Sequence, residues 1–106
     1  MLATAVLDFE HTPEPEQGHR LGVSGELDAE TAPSLISGLR GTRRTATHVR
    51  LDLSGVTFID CSGLTALLSV LEEARSAGWV VEVDRQISAP VRRIIQLTRT
   101  RDQIWP

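Results

Sequence analysis

The 106-residue chain contains no lysine and no tyrosine, a single cysteine, and only two phenylalanines and two tryptophans. Each shortage removes a class of function. Without lysine there is no Schiff-base former, no lysine general base and no phosphate-loop cation. The lone Cys61 forms neither an internal disulfide nor the cysteine set of a zinc site. The three histidines, His11, His19 and His48, are scattered and not spaced as metal ligands, so neither a metal centre nor a cofactor is expected. Aromatics at 4% leave little for stacking the bases of single-stranded nucleic acid. No apolar run approaches the ~20 residues that span a bilayer. The first six residues lack a basic segment, and Asp8 follows before a hydrophobic leader core can form. A signal peptide is therefore not expected, and the cytoplasm is the expected compartment.

What is present is an ordinary soluble composition, 41% hydrophobic and 24% charged, with a formal charge of −3. A chain of this length reads as one domain, residues 1–106, with one core and little room for a deep substrate cleft. The acidic balance argues against nucleic-acid binding, which needs clustered positive charge. All eleven basic residues are arginine. A protein-binding module is the better starting expectation than an enzyme, and no catalytic residue is assigned.

The apolar pattern predicts strands at residues 3–10 and 19–27, separated by a linker-like stretch from His11 to Gly18 that carries Pro13 and Pro15. Asp28 reads as a helix N-cap with Glu30 and Thr31 in the first turn, Leu35, Ile36 and Leu39 as the inner stripe, and Gly38 and Gly41 as the end. In residues 48–54, Val49, Leu51 and Leu53 alternate with polar residues, the period of a half-buried strand. A second apolar run, Val56 to Ile59, follows. At Leu64 the period changes: Leu64, Leu67, Leu68 and Leu71 recur at helical spacing up to Ala77 and Gly78. Residues 79–83 are nearly all hydrophobic and predict a strand covered on both faces. Ser88 and Pro90 open a last helix with Val91, Ile94 and Ile95 inside and Arg92, Arg93 and Arg99 outside. The alternation predicts an α/β fold: one layer of small mixed β-sheet, opened by an antiparallel hairpin, with helices packed on it.

The chemically informative segment is LDLSGVTFIDCSGLTALL, Leu51 to Leu68. It runs from a strand through a tight turn into an abrupt helix start, where unpaired N–H groups and the helix dipole favour an anion. Ser62 reads first as a capping hydroxyl, and Gly63 as a residue that lets another surface approach the backbone. Asp28 and Asp60 complement their helix starts.

Aspartate, leucine, serine, glycine, then Phe58-Ile59-Asp60, Ser62-Gly63-Leu64 and an amphipathic helix together resemble the STAS domain of bacterial anti-sigma factor antagonists. Gly25-Glu26-Leu27-Asp28 with Thr31, and the run Ser88 to Ile94, match two further motifs of that family in order, and the resemblance extends from about Leu21 to the C-terminus. It implies a non-enzymatic partner-switching protein that binds an anti-sigma factor of kinase-like fold and so frees a sigma factor. In such proteins a hydroxyl in the turn is phosphorylated by that same kinase, and the charge brought by the phosphate ends the association. The usual acceptor position is Cys61 here; the neighbouring Ser62 is the remaining hydroxyl of the turn. The resemblance places the partner surface at Glu26, Asp28, Asp60, Cys61, Ser62, Gly63 and Leu64, near the end of the first helix, with switching at Ser62. Independently of the resemblance, a thiol at a helix N-terminus is open to activation, which makes Cys61 either an inert turn residue or a site of oxidation. A second implied role is a STAS regulatory subunit of a membrane transport system, acting in trans. A thiol peroxidase or phosphatase built on Cys61 is disfavoured, because no His or Arg is placed by sequence to support a thiolate site.

Overall fold

Val49, Leu51 and Leu53 are fully buried and make one strand the centre of the molecule. In the computed structural model, which describes residues 6–15, 18–44, 46 and 48–106, the elements in chain order are β1 (Leu7–Glu14), β2 (Gly18–Leu27), α1 (Ala32–Arg43), β3 (His48–Ile59), α2 (Cys61–Ala77), β4 (Val80–Val83), α3 (Ala89–Thr98) and α4 (Arg101–Ile104). The sheet order is β1-β2-β3-β4. β1 and β2 form the expected antiparallel hairpin, whereas β2–β3 and β3–β4 are parallel. The α/β architecture of one mixed sheet with packed helices is therefore as anticipated.

The core joins Leu21, Val23 and Leu27 of β2 to Leu35 and Leu39 of α1, Leu67 and Leu71 of α2, and Val91 and Ile95 of α3. Each fully buried leucine contributes about 2 kcal/mol by leaving water. β3 keeps its period of two only to Leu53; beyond it the buried positions are Val56 and Ile59. Two register irregularities against β2 insert extra residues in β3 and reset the phase. Gly55 permits the first, since a Cβ there would lie 2.8 Å from the Cβ of Ser24.

Four boundaries differ from expectation, each for a local reason. β1 runs through His11, Thr12 and Pro13, where a linker is predicted; the start of that predicted strand, at Ala3, lies outside the described residues. Pro13 pairs with His19 at the sheet edge, where a missing N–H costs no ladder bond. α1 begins at Ala32, not after Asp28, with Pro33 in its first turn. A helix starting at Asp28 would put Pro33 in its interior, without an N–H for Ala29 and against that carbonyl. α1 also continues through Gly38, whose missing Cβ seats the Phe9 ring (Cε1 at 3.2 Å from where it would be), and through Gly41. β4 is an edge strand rather than a doubly covered one, and Val80 is 51% exposed. The short α4 closes the chain against α2, and the Trp105 indole Nε1 donates to the Val83 carbonyl at 2.8 Å.

Candidate functional site

Leu27 and Ile59 are register partners at the ends of the parallel strands β2 and β3. The residue after each is an aspartate, so two turns leave the sheet side by side at the carboxyl ends of adjacent parallel strands, where this class of fold places its ligand contacts. In the first turn, Asp28 Oδ1 accepts from the backbone N–H groups of Glu30 at 2.9 Å and Thr31 at 3.1 Å. Thr31, itself buried, donates its hydroxyl to the Glu26 carbonyl at 2.7 Å and accepts from Asp28 N–H at 3.0 Å. Asp28 thus holds the turn before α1, and Thr31 takes the N-cap position.

In the second turn, Asp60 is extended (φ −118°, ψ −174°), and its Oδ1 accepts from Gly63 N–H at 3.0 Å. Its own N–H donates to the Leu27 carbonyl at 3.3 Å, which ties the two turns together. Asp60, not Ser62, caps α2, and this leaves the Ser62 hydroxyl outside the cap. Both Cys61 and Ser62 are exposed in the first turn of the longest helix. Thr65 donates its hydroxyl to the Cys61 carbonyl at 2.8 Å. At the other end of α2, Gly78 adopts φ 79° and closes the helix.

The seven sequence-predicted positions therefore separate. Cys61 and Ser62 line a shallow depression of about 450 Å³ together with Ala29, Ala32, Pro33, Ile36 and Thr65. Asp28 and Asp60 are partly exposed and Glu26 is exposed, but none of the three lines the depression. Gly63 and Leu64 are buried: Leu64 is 4% exposed and belongs to the core. The surface that approaches Gly63 is the chain's own β2, because a Cβ there would collide with the Leu27 carbonyl. The depression lies beside the start of α1 rather than its end. Ala32, Pro33 and Ile36 were not anticipated as site residues. Their signal, a small apolar set at i, i+1 and i+4, is legible only once α1 is known to start at Ala32.

Among the described residues no group of three or more His, Cys, Asp or Glu side chains is arranged to hold a metal ion, although the hairpin brings His11 Nδ1 within 3.0 Å of His19 Nε2. No helix among them is long and apolar enough to cross a membrane.

A family model described as Mlab, STAS domain matches residues 10–104. No curated protein matches the sequence. An anti-sigma factor antagonist from Mycobacterium paratuberculosis has a similar structure, with a TM-score of 0.73 at 24% identity over 93% of this chain and 83% of that one. An antisigma-factor antagonist STAS domain from Rhodobacter sphaeroides gives a TM-score of 0.65 at 17% identity, covering 79% of this chain and 94% of that one. The Bacillus cell fate determinant SpoIIAA in its phosphorylated form gives 0.63 at 16% identity, over 86% and 83%. At these identities the likeness is one of fold.

Proposed function

The chain belongs to the STAS domain family, and we propose that it acts there as an anti-sigma factor antagonist: it binds an anti-sigma factor of kinase-like fold and thereby frees a sigma factor. The observation that carries the reading is the exposed Cys61–Ser62 start of α2, set beside the Asp28–Thr31 turn over a shallow apolar-walled depression. Such a surface suits a flat protein contact, not an enclosed small-molecule site. The cap arrangement also suits a switch. Asp60 already satisfies the Gly63 N–H, so modification of Ser62 leaves the helix start intact. Transfer of the γ-phosphoryl group of ATP to Ser62 Oγ, with release of ADP and a proton, would add about −1.5 to −2 charges to the turn that already carries Asp60. A partner docked there would meet like charges and a bulkier turn. Oxidation of the exposed Cys61 would alter the same surface.

Titration calorimetry against the purified anti-sigma factors of the source organism tests this reading. One of them should bind with 1:1 stoichiometry and release its sigma factor, and both Ser62→Asp and Asp28→Arg should weaken that complex at least tenfold without unfolding the domain. Absence of binding to every anti-sigma factor, or unchanged affinity in both variants, would sink the proposal. Association with a transporter ATPase or permease instead would favour a transport-regulatory role.

A further inference from the structure

Five of the eleven arginines, and none of the fourteen acidic residues, lie between Arg85 and Arg101. This segment is α3 with its two flanks. Arg85 stacks on the Trp105 ring at 5.5 Å and Arg92 donates to the Ile87 carbonyl at 3.4 Å. Among the described residues, none of the five has a carboxylate within ion-pair distance, whereas Arg20 has two and Arg40 and Arg50 have one each. A solvated basic face would account for the charge alone, but the same helix also carries apolar surface. Leu97 is 76% exposed, and Phe58 of β3 is 47% exposed.

These two side chains share a groove of about 600 Å³ with Ile59, Pro90, Arg93 and Ile94. The groove has a topological cause. β4 pairs with β3 only over His48–Leu51, so from Asp52 onward β3 has no strand neighbour on that side among the described residues, and α3 runs alongside instead. Thr57 to Ile59 line the groove from that unpaired edge.

We propose that this groove docks an extended segment of a partner protein in which apolar side chains alternate with carboxylates. The apolar residues would occupy the space between Phe58 and Leu97, a carboxylate would meet Arg93, the arginine that lines the groove (Arg85, Arg92 and Arg101 border a separate depression), and the segment's main chain would pair with the β3 edge that no described strand covers. Charge complementarity selects an acidic occupant. Concavity selects a polypeptide over a bilayer, since a membrane-binding surface presents its apolar residues on a convex face. The groove shares no lining residue with the depression at Cys61 and Ser62, so the inference stands apart from the antagonist reading.

The probe is a random heptapeptide library displayed on phage and panned against the whole protein, with the enriched peptides then synthesised. Enriched peptides should alternate apolar residues with Asp or Glu, and their binding should weaken at least tenfold in Arg93→Glu and in Leu97→Asp. It should also fall as salt rises from about 50 mM to about 500 mM, and survive Ser62→Asp. Both substituted side chains are exposed, so circular dichroism should show an unchanged fold. Amide shifts on peptide addition should map to Thr57–Ile59 and Arg93–Leu97. Failure to enrich any such peptide, or shifts confined to Ala29, Cys61 and Ser62, would overturn the proposal. So would a concentration-dependent dimer abolished by Leu97→Asp, which gives the groove to a second copy, or flotation with phosphatidylglycerol vesicles abolished by Arg93→Glu, which gives it to a membrane.

Discussion

Gly63 packs directly on the carbonyl of Leu27, with no room for a Cβ between them. That contact sets how deeply the first turn of α2 sinks against β2, and so where Cys61 and Ser62 stand at the surface. It also ties the two halves of the candidate site together, because the Leu27 carbonyl already accepts from Asp60 N–H.

Two of the helical glycines, Gly63 and Gly41, should respond to alanine with opposite signs. Gly63→Ala forces a methyl into rigid backbone and should destabilise by about 2 kcal/mol or more, as overpacking does. Gly41 in α1 has nothing within 4 Å of its would-be Cβ. There alanine should stabilise by up to about 1 kcal/mol, through helix propensity and a less flexible unfolded chain. Urea midpoints of the two variants give the comparison directly; a loss at both positions would remove the packing explanation.

Thr31 is the buried hinge of the first turn. Thr31→Val keeps the shape but strands the Asp28 N–H and the Glu26 carbonyl, and should cost about 1–3 kcal/mol; Thr31→Ser should recover most of it. Asp60→Ala removes the α2 cap and should cost about 1 kcal/mol. Chemical denaturation of the three variants, with an intact far-ultraviolet spectrum, is the readout. Equal stability of the Val and Ser variants would show that the hydroxyl is not what holds the turn.

Most of the fold could be read from the residues because its signals are local and periodic: Val49, Leu51 and Leu53 at alternate positions, Leu64, Leu67 and Leu71 at helical spacing, Gly78 beyond the helix end. What escaped depended on tertiary placement. Pro13 looks like a strand breaker until β1 is known to be an edge, and Gly38 looks like a helix end until Phe9 is found lying on it. The site was legible at Asp60, Cys61 and Ser62, whose positions follow from the helix start. Leu64 belongs equally to the site motif and to the apolar stripe, and only burial assigns it to the core.

A cross-sheet ion cluster gives the fold a pH dependence. Arg20 of β2 reaches Asp52 of β3 at 2.9 Å and Asp84, just after β4, at 3.2 Å. Partial burial pushes the Asp52 carboxyl up, but hydrogen bonds from Ser54 and the Arg20 guanidinium outweigh it and hold Asp52 below the usual carboxylate range. With the folded value depressed, the stabilisation is complete above the unfolded carboxylate value, about 3.9, and is lost as pH falls through the folded one. Asp52→Asn should therefore cost about 1 kcal/mol near neutrality, a figure kept small by the partial exposure of both partners. That gap should narrow as pH falls below about 3.9 and through the depressed folded value. A gap that stayed constant across the whole acid range would show that the charge of Asp52 is not what stabilises.

Cys61 offers the most direct probe of the candidate site, since it is the only cysteine and is exposed in the folded chain. A maleimide should label the native protein fully, one adduct per chain, without shifting the thermal midpoint by more than about 2 °C. Its attachment fills the depression shared with Ser62, Pro33 and Ile36, so the adduct should block an anti-sigma factor that binds there, whereas Cys61→Ser should not. The same position bears on switching. Incubation with a partner kinase and ATP should leave the wild type unmodified or place phosphate on Ser62, and Cys61→Ser should provide a second acceptor in the turn. Peptide mapping by mass spectrometry separates these products. Phosphate on Thr57, whose hydroxyl is spent on the Gly25 carbonyl at 3.2 Å, or on Ser69, about two turns further along α2, would place the switch outside this turn. Full labelling of Cys61 with undiminished partner binding would move the contact surface elsewhere on the molecule.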